Sequence, residues 1–88
     1  MGKKISIIIP TYNRSACIIN AIKSLLNQTY PLYEIIVIDD ASTDETYETL
    51  KSYIISGKIF YQRLNENHGQ CFARNIGIKF ATGDYIAY

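Results

Sequence analysis

The sequence predicts an α/β fold built on a parallel sheet, with strands and helices alternating along the chain. Short apolar or β-branched runs alternate with longer segments whose apolar residues recur at the helical spacing of three and four. One run, residues 35–38, is apolar at four consecutive positions, as in a strand that is covered on both faces. The predicted element order is therefore β-α-β-α-β-α-β, with right-handed crossovers between the strands.

The first strand and helix are predicted close to the amino terminus. Residues 5–9 form a β-branched run that stops at Pro10, which cannot donate a backbone hydrogen bond to a sheet. The segment from Ser15 to Gln28 reads as a helix, because its apolar residues share one face and Pro31 follows it. The apolar residues of this face are Ile18, Ala21, Ile22, Leu25 and Leu26.

The middle of the chain repeats this pattern. After the strand at 35–38, Ser42 and Glu45 fit a capping box at the start of a second helix. The residues expected to line that helix are Tyr47, Leu50 and Ile54. Gly57 is a natural carboxyl-terminal cap. Residues 59–64 read as a third strand, and their lower apolar content predicts that it lies at an edge of the sheet.

A third helix and a fourth strand complete the pattern. The apolar residues that define the helical face are Phe72, Ala73, Ile76 and Phe80. We expect this helix to end at Gly83, and the run 85–88 to begin the fourth strand.

Composition excludes several classes of protein. With 88 residues the chain has room for one domain, and 48% hydrophobic residues can supply its core. A net charge of +1 argues against a protein that binds nucleic acid by neutralising phosphates. No apolar run approaches the roughly 20 residues of a membrane-spanning helix. Cys17 and Cys71 have no metal-ligand spacing, so we expect two buried thiols in a reducing compartment.

The fold class predicts where a ligand would bind. In open α/β sheets ligands lie beyond the carboxyl ends of the strands, which here are followed by residues 10–14, 39–42 and 65–69. The first of these segments lacks the glycine-rich pattern of a dinucleotide fold, and no P-loop is present. A nucleotide would therefore not be held by a glycine cradle.

The residues after the first strand offer aromatic and polar groups. Tyr12 could stack on a nucleobase, or it could pack on the protein's own surface. Thr11 and Asn13 could bond polar edges of a ligand, although turn formation is the better interpretation of Asn13.

Charged candidates follow the second and third strands. Asp39 and Asp40 should point to opposite faces, so that one faces the crevice while the other turns inward or bonds the loop backbone. The carboxylate in the crevice could accept a base N–H or a ribose O–H, or coordinate Mg²⁺ or Mn²⁺; alternatively, both could merely cap the next helix. Arg74 suits a base carbonyl or a diphosphate, or a weak surface ion pair. His68 reads as an exposed turn residue.

Taken together, these segments resemble the family 2 glycosyltransferases of the GT-A fold. The resemblance covers nearly the whole chain, in order and with matching spacing. The matching segments are residues 5–14, 27–30, 34–44, 67–69, 73–77 and 81–86. Ala41 stands where the family often has glycine.

The resemblance implies a three-layer, Rossmann-like half of a GT-A domain with the parallel strand order 3-2-1-4. Residues 1–88 would be the N-terminal nucleotide-binding portion, with Asn13 structural in its loop. The implied nucleotide-binding residues are Pro10, Thr11, Tyr12, Asp40 and Arg74. Tyr12 would stack on the base, Asp40 would accept the N–H of a uracil-like base, and Arg74 would hold the base or the nearby loop.

The resemblance also implies what lies beyond residue 88. The family's Asp-x-Asp motif, which holds a divalent cation, would follow the fourth strand, so Mn²⁺ or Mg²⁺ is expected in a full-length parent and not on this chain alone. This chain by itself would be catalytically incomplete. That parent would be an inverting enzyme that moves a sugar from a nucleotide donor, a UDP-sugar, to a glycan, lipid or protein hydroxyl. A cytoplasmic location, at the membrane face, is implied. An exposed fourth-strand edge also predicts self-association or a frayed carboxyl terminus.

Two alternatives belong to other classes. The chain could be a non-catalytic α/β module that binds a nucleotide or a partner. It could also be a phospho-acceptor receiver or an acid-metal phosphatase. Those proteins need carboxylates after the first strand, where this chain has Thr11, Tyr12 and Asn13.

Overall fold

The computed structural model describes residues 5–27, 34–83 and 85–87. The elements are β1 (Ile5–Thr11), α1 (Ser15–Asn27), β2 (Glu34–Asp39), α2 (Thr46–Ile55), β3 (Phe60–Arg63), α3 (Gln70–Phe80) and β4 (Tyr85–Ala87). All strand pairs are parallel, and the sheet has the order β3-β2-β1-β4. The predicted fold class, element order and strand order are confirmed. Gln28, Pro31 and Tyr88, which entered the sequence predictions, lie outside the described residues.

The strand register brings polar residues together at one edge of the sheet. In the pairing of β1 with β2, Ile8 lies opposite Ile36, and Thr11 lies opposite Asp39. Asp39 in turn lies opposite Arg63 of β3. Because all these strands run in the same direction, their carboxyl ends and the loops that follow meet on one side of the molecule.

The hydrophobic core is divided between the two faces of the sheet. On one face, the helices α1 and α2 pack on alternate residues of β2. The buried residues of this cluster are Ile18, Ile22, Ile35, Val37, Leu50 and Ile59. On the other face, α3 covers a second buried cluster formed by Ile8, Ile36, Ile38 and Ala73. The prediction that the strand at 35–38 is covered on both faces is confirmed.

A glycine allows α3 to approach the sheet closely. Gly77 is buried, and a Cβ atom built on it would lie 2.4 Å from Cγ2 of Ile8. That distance is far below van der Waals contact, so no other residue fits here unless the helix or Ile8 moves. The backbone of α3 therefore packs directly on a side chain of the central strand β1.

The predicted capping box at the start of α2 is wrong. The helix begins at Thr46, and its N-cap residue Glu45 makes no side-chain capping bond. The Oγ atom of Ser42 instead accepts the backbone N–H of Asn13 at 2.9 Å, which keeps Ser42 in the preceding loop. The Asp44 carboxylate accepts the backbone N–H of Thr46 at 3.0 Å and so satisfies one of the free N–H groups of the first turn.

The carboxyl end of α2 follows the prediction. Gly57 has a φ of 79°, a conformation that glycine adopts without strain. Its N–H donates to the carbonyl of Ile54 at 3.1 Å, and the N–H of Lys58 donates to the carbonyl of Tyr53 at 3.0 Å. These two bonds form a Schellman motif that satisfies the last carbonyls of the helix.

Several residues that the sequence predicts to be buried are exposed. Cys17 and Cys71 are free and exposed, so the prediction of two buried thiols is wrong. Each cysteine lies on the exposed side of its helix, whereas the nearby Ile18 of α1 and Ala73 of α3 are buried. The predicted face residues that are exposed are Ala21, Leu26, Tyr47, Phe72 and Phe80. The third helix also ends before the predicted Gly83, because Ala81 already has extended backbone at its carboxyl cap.

Candidate functional site

A cleft of about 230 Å³ opens at the carboxyl ends of β1 and β2, beside the first turn of α3. It lies where the fold class predicts a ligand site. The residues that line it are Pro10, Thr11, Tyr12, Arg14, Asp40, Asn67, Gly69 and Gln70.

Four of the five predicted nucleotide-binding residues line this cleft. They are Pro10, Thr11, Tyr12 and Asp40. Arg74 is half-buried further along α3 and is not among the lining residues. Arg14 and Gln70 line the cleft although sequence reasoning did not single them out. Their positions in the sequence could have identified them as cleft residues. Arg14 ends the loop after β1, and Gln70 follows the glycine that precedes α3.

The cleft combines an exposed aromatic residue with a buried acid. Tyr12 is 44% exposed, whereas Asp40 is 3% exposed and Thr11 is 6% exposed. An accessible ring beside a recessed carboxylate can stack on a planar group and accept a hydrogen bond from its edge. This combination suits a nucleobase that carries a ring N–H.

Asp40 ties three segments of the chain together. Its two carboxylate oxygens accept the backbone N–H groups of His68, at 2.8 Å, and Gly69, at 2.7 Å. Its own backbone N–H donates to the carbonyl of Thr11 at 2.8 Å, and its carbonyl accepts the side-chain amide of Asn67 at 3.3 Å. An ionised carboxylate has about four acceptor positions, so these bonds leave acceptor capacity for a ligand.

Asp39 serves a different part of the structure. It is 1% exposed, and one carboxylate oxygen accepts the backbone N–H of Ser42 at 2.9 Å. The other oxygen accepts a hydrogen bond from the hydroxyl of Tyr61, which is a residue of β3. Burial, with the Asp39 hydrogen bond and charge, raises the pKa of Tyr61. Asp40 therefore lines the cleft, as expected of one of the two acids, whereas Asp39 turns inward. Both carboxylates bond loop backbone.

The loops after β1 and β2 are clasped through Asn13. Its side-chain oxygen accepts the backbone N–H groups of Thr43, at 2.7 Å, and Asp44, at 3.2 Å. Asn13 has a φ of 50°, and Ala41 in the facing loop has a φ of 65°. Both values lie in the left-handed region, which asparagine tolerates better than alanine.

His68 is an exposed loop residue, as predicted. Its ring lies against the Phe72 ring, with centroids 4.4 Å apart. The sequence did not reveal that its backbone N–H helps to hold Asp40.

The described residues do not fit a divalent cation. Within residues 5–27 and 34–83, no three His, Cys, Asp or Glu side chains lie close enough to hold a metal ion. The described residues therefore do not assemble the set of oxygen ligands that a hard divalent cation such as Mg²⁺ requires.

Comparison with known proteins identifies relatives of this chain. The family model described as Glycosyl transferase family 2 matches residues 6–88. An uncharacterized glycosyltransferase of Rickettsia bellii is 45% identical over 85 residues, which are 97% of this chain and 12% of that protein. The putative teichuronic acid biosynthesis glycosyltransferase TuaG of Bacillus subtilis is 39% identical over 96% of this chain and 34% of that protein. This chain thus spans about a third or less of the length of these relatives.

Solved structures agree with these relatives. The mannosyltransferase PcManGT from Pyrobaculum calidifontis, in complex with GDP-Man and Mn²⁺, matches with a TM-score of 0.83 and 27% identity, over 98% of this chain and 26% of that chain. S. aureus TarS 1-349 in complex with UDP-GlcNAc matches with a TM-score of 0.82 and 34% identity, over 94% of this chain and 25% of that chain. Among the residues that the structure describes, no helix has the length and apolar character needed to cross a membrane.

Proposed function

Because the chain belongs to glycosyl transferase family 2, we propose that its cleft binds the nucleotide of a sugar-nucleotide donor. Residues 1–88 are, in this proposal, the N-terminal nucleotide-binding portion of a larger GT-A domain. The observation that supports it best is the placement of an exposed Tyr12 and a buried Asp40 in one cleft, beside Pro10 and Thr11.

The nucleobase stacks on Tyr12 in this proposal. Stacking of a base on an aromatic side chain contributes about 1–3 kcal/mol in proteins that bind single-stranded nucleic acid. Asp40 accepts a ring N–H of the base, which uracil supplies and cytosine does not. The UDP-GlcNAc complex of TarS supports a UDP-sugar as donor. Arg74 does not line the cleft, so its role in this proposal is to hold the adjacent loop from its position on α3.

The whole protein transfers the sugar, with inversion, to a hydroxyl of a glycan, lipid or protein. The similarity to a putative teichuronic acid biosynthesis glycosyltransferase supports a polysaccharide acceptor. The catalytic general base, which activates the acceptor hydroxyl by taking its proton, lies outside residues 1–88 in our proposal. A divalent cation, Mn²⁺ or Mg²⁺, acts in the whole protein, as the Mn²⁺ complex of PcManGT suggests. The free cysteines support a cytoplasmic location. The whole protein acts at the membrane face in this proposal.

Calorimetric titration of the 88-residue chain with UDP, CDP and UDP-GlcNAc tests the proposal. We expect UDP to bind more tightly than CDP. Loss of the Tyr12 ring in Tyr12→Ala should weaken UDP by about 5- to 150-fold, the equivalent of 1–3 kcal/mol of stacking. Tyr12→Phe keeps the ring and should bind almost as well as the unmodified chain.

Tyr47→Ala is the matched control. Tyr47 is 41% exposed, close to the value of Tyr12, and it lies on α2 away from the cleft. Its removal should leave UDP affinity unchanged. Absence of UDP binding to the folded chain would overturn the proposal, and so would equal losses in Tyr12→Ala and Tyr47→Ala.

We also propose self-association through β4. In the described sheet this strand pairs only with β1, so its other edge can pair with a second copy. Sedimentation over a range of concentrations should show a dimer or larger species. A monomer at every concentration would contradict this proposal without affecting the nucleotide site.

A further inference from the structure

A residue that does not line the cleft is placed to control its shape. Asn13 lies between Tyr12 and Arg14, and both of these neighbours line the cleft. Asn13 is exposed, yet its side chain and its backbone bond the facing loop. The bonds of Asn13 to the loop after β2 therefore hold the backbone next to Tyr12 in place.

The contacts of Asn13 are numerous for an exposed residue. The side-chain oxygen accepts the backbone N–H of Thr43 at 2.7 Å, its hydroxyl at 3.4 Å, and the backbone N–H of Asp44 at 3.2 Å. The backbone N–H of Asn13 donates to Oγ of Ser42 at 2.9 Å. These bonds connect segments about 30 residues apart in the sequence, so they are tertiary and not local turn bonds.

The facing loop is itself held in place. The backbone N–H of Ser42 donates to the buried carboxylate of Asp39 at 2.9 Å, and the carbonyl of Ser42 accepts the Arg63 guanidinium at 3.0 Å. Asn13 therefore bonds to an anchored loop. The left-handed φ of 50° at Asn13 turns the chain at this point, and few other residues adopt it without cost.

We propose that Asn13 is a positioning residue for nucleotide binding: its side-chain oxygen holds the loop after β1 against the loop after β2, and so fixes Tyr12 for stacking. This inference rests on the proposed function of the cleft. A ring that is held in its binding position loses less conformational freedom when the base arrives, so part of the affinity depends on Asn13.

Three substitutions separate the contributions of Asn13. Asn13→Gly keeps the left-handed backbone and removes the side-chain oxygen. Asn13→Asp keeps an acceptor oxygen of the same size. Asn13→Ala removes the oxygen and disfavours the backbone conformation. Asn20→Ala, at an exposed position of α1, is the matched control.

Calorimetric titration with UDP should rank these variants. We expect Asn13→Gly and Asn13→Ala to weaken UDP by roughly 5- to 10-fold, because binding must now order the loop. Asn13→Asp should restore most of the affinity, and Asn20→Ala should bind like the unmodified chain. A wild-type affinity in Asn13→Gly would overturn the proposal.

A double-mutant cycle separates positioning from a general loss of stability. In a Tyr12→Ala background, Asn13→Gly should have almost no further effect on UDP affinity, because the ring that it positions is absent. The same fold-loss in both backgrounds would overturn the proposal, since it would show an effect that does not act through Tyr12.

A measurement without ligand distinguishes this proposal from the proposed function. If the unmodified chain binds no UDP, the proposed function fails, and NMR of the chain with ¹³C-labelled tyrosine rings still tests the positioning. Greater Tyr12 ring motion in Asn13→Gly than in Asn20→Ala would support it, as would faster exchange of the Thr43 and Asp44 amides. Unchanged ring motion and exchange would overturn it.

Discussion

The Asp40 carboxylate accepts the backbone N–H of Gly69 at 2.7 Å, across 29 positions of the sequence. Gly69 has a φ of 95° and is the residue before α3. The same carboxylate lines the cleft. The start of α3 and the candidate nucleotide site therefore share one buried charge.

Replacement of Asp40 should affect both stability and binding. Asp40→Asn places an amide N–H₂ opposite one of the two backbone N–H groups, which leaves a partly buried donor without an acceptor. We expect the free energy of unfolding to fall by about 1–3 kcal/mol. Urea unfolding followed by circular dichroism measures this change, and titration of the folded fraction with UDP should show weaker binding.

Glu66→Gln provides the control for Asp40→Asn. Glu66 is an exposed acid in the same connection between β3 and α3. The substitution should change the free energy of unfolding by less than about 0.5 kcal/mol, as at most surface positions. Equal effects of the two substitutions would show that Asp40 has no special role in anchoring the loop.

Gly77→Ala should destabilise the chain although alanine favours helices. The new methyl group would overlap Cγ2 of Ile8, and overpacking of this kind costs about 1–3 kcal/mol. Thermal or urea unfolding measures the loss. Ile8→Ala removes the Cγ2 atom that the new methyl group would overlap, so Gly77→Ala should lower the free energy of unfolding by less in that background. Full additivity of the two substitutions would argue against the close approach.

Ala41→Gly should stabilise the chain. Ala41 has a φ of 65°, where an alanine side chain is strained by about 1–2 kcal/mol. Glycine offsets part of this gain through its greater freedom in the unfolded chain, so we expect a net gain of about 0.5–1 kcal/mol. Ala16→Gly, at an exposed position of α1, should instead lower the free energy of unfolding. A loss of stability in Ala41→Gly would show that the alanine is unstrained.

The chain should lose stability in acid partly through Glu34. Partial burial alone would raise the pKa of this carboxyl, but hydrogen bonds from Ser6 and Thr82 outweigh it and lower the pKa below its usual 4.5. The carboxylate accepts the Ser6 hydroxyl at 2.6 Å and the Thr82 N–H at 2.7 Å. Because the folded pKa is the lower one, this contribution is present above pH 4.5 and is lost as the pH falls through the folded pKa.

Glu34→Gln tests this linkage, since glutamine does not titrate. The difference in free energy of unfolding between the unmodified chain and the variant should be constant near neutral pH and shrink below about pH 4.5. Unfolding by urea at a series of pH values measures it. A difference that stays constant through the acid range would show that Glu34 has the same pKa in the folded and unfolded states.

The sequence predicts the sheet well because burial on two faces leaves a local pattern. The four apolar residues at 35–38 and the adjacent Asp39 and Asp40 identify the strand, its coverage and the divided roles of the two acids. The family resemblance then identifies the strand order. Successive side chains of a strand point to opposite faces of the sheet, so the pattern involves only neighbouring residues and can be recognised in a single sequence.

Tertiary contacts are what the sequence could not provide. Ser42 has the spacing of a helix cap, but Asn13, about 30 residues earlier, engages its hydroxyl. Gly77 resembles any helical glycine until Ile8 is found beside it. Each of these features depends on segments far apart in the sequence, which local periodicity does not report.

The strand order has a consequence for how the chain folds. β1 lies inside the sheet, and one of its neighbours, β4, contributes Tyr85 opposite Ile5, near the other end of the chain. A ribosome must therefore have released almost all of these residues before β1 acquires both partners. Pairings of such long range close large loops and slow the folding rate. One side of this apolar strand stays open during synthesis, which makes the nascent chain a substrate for chaperones or for aggregation.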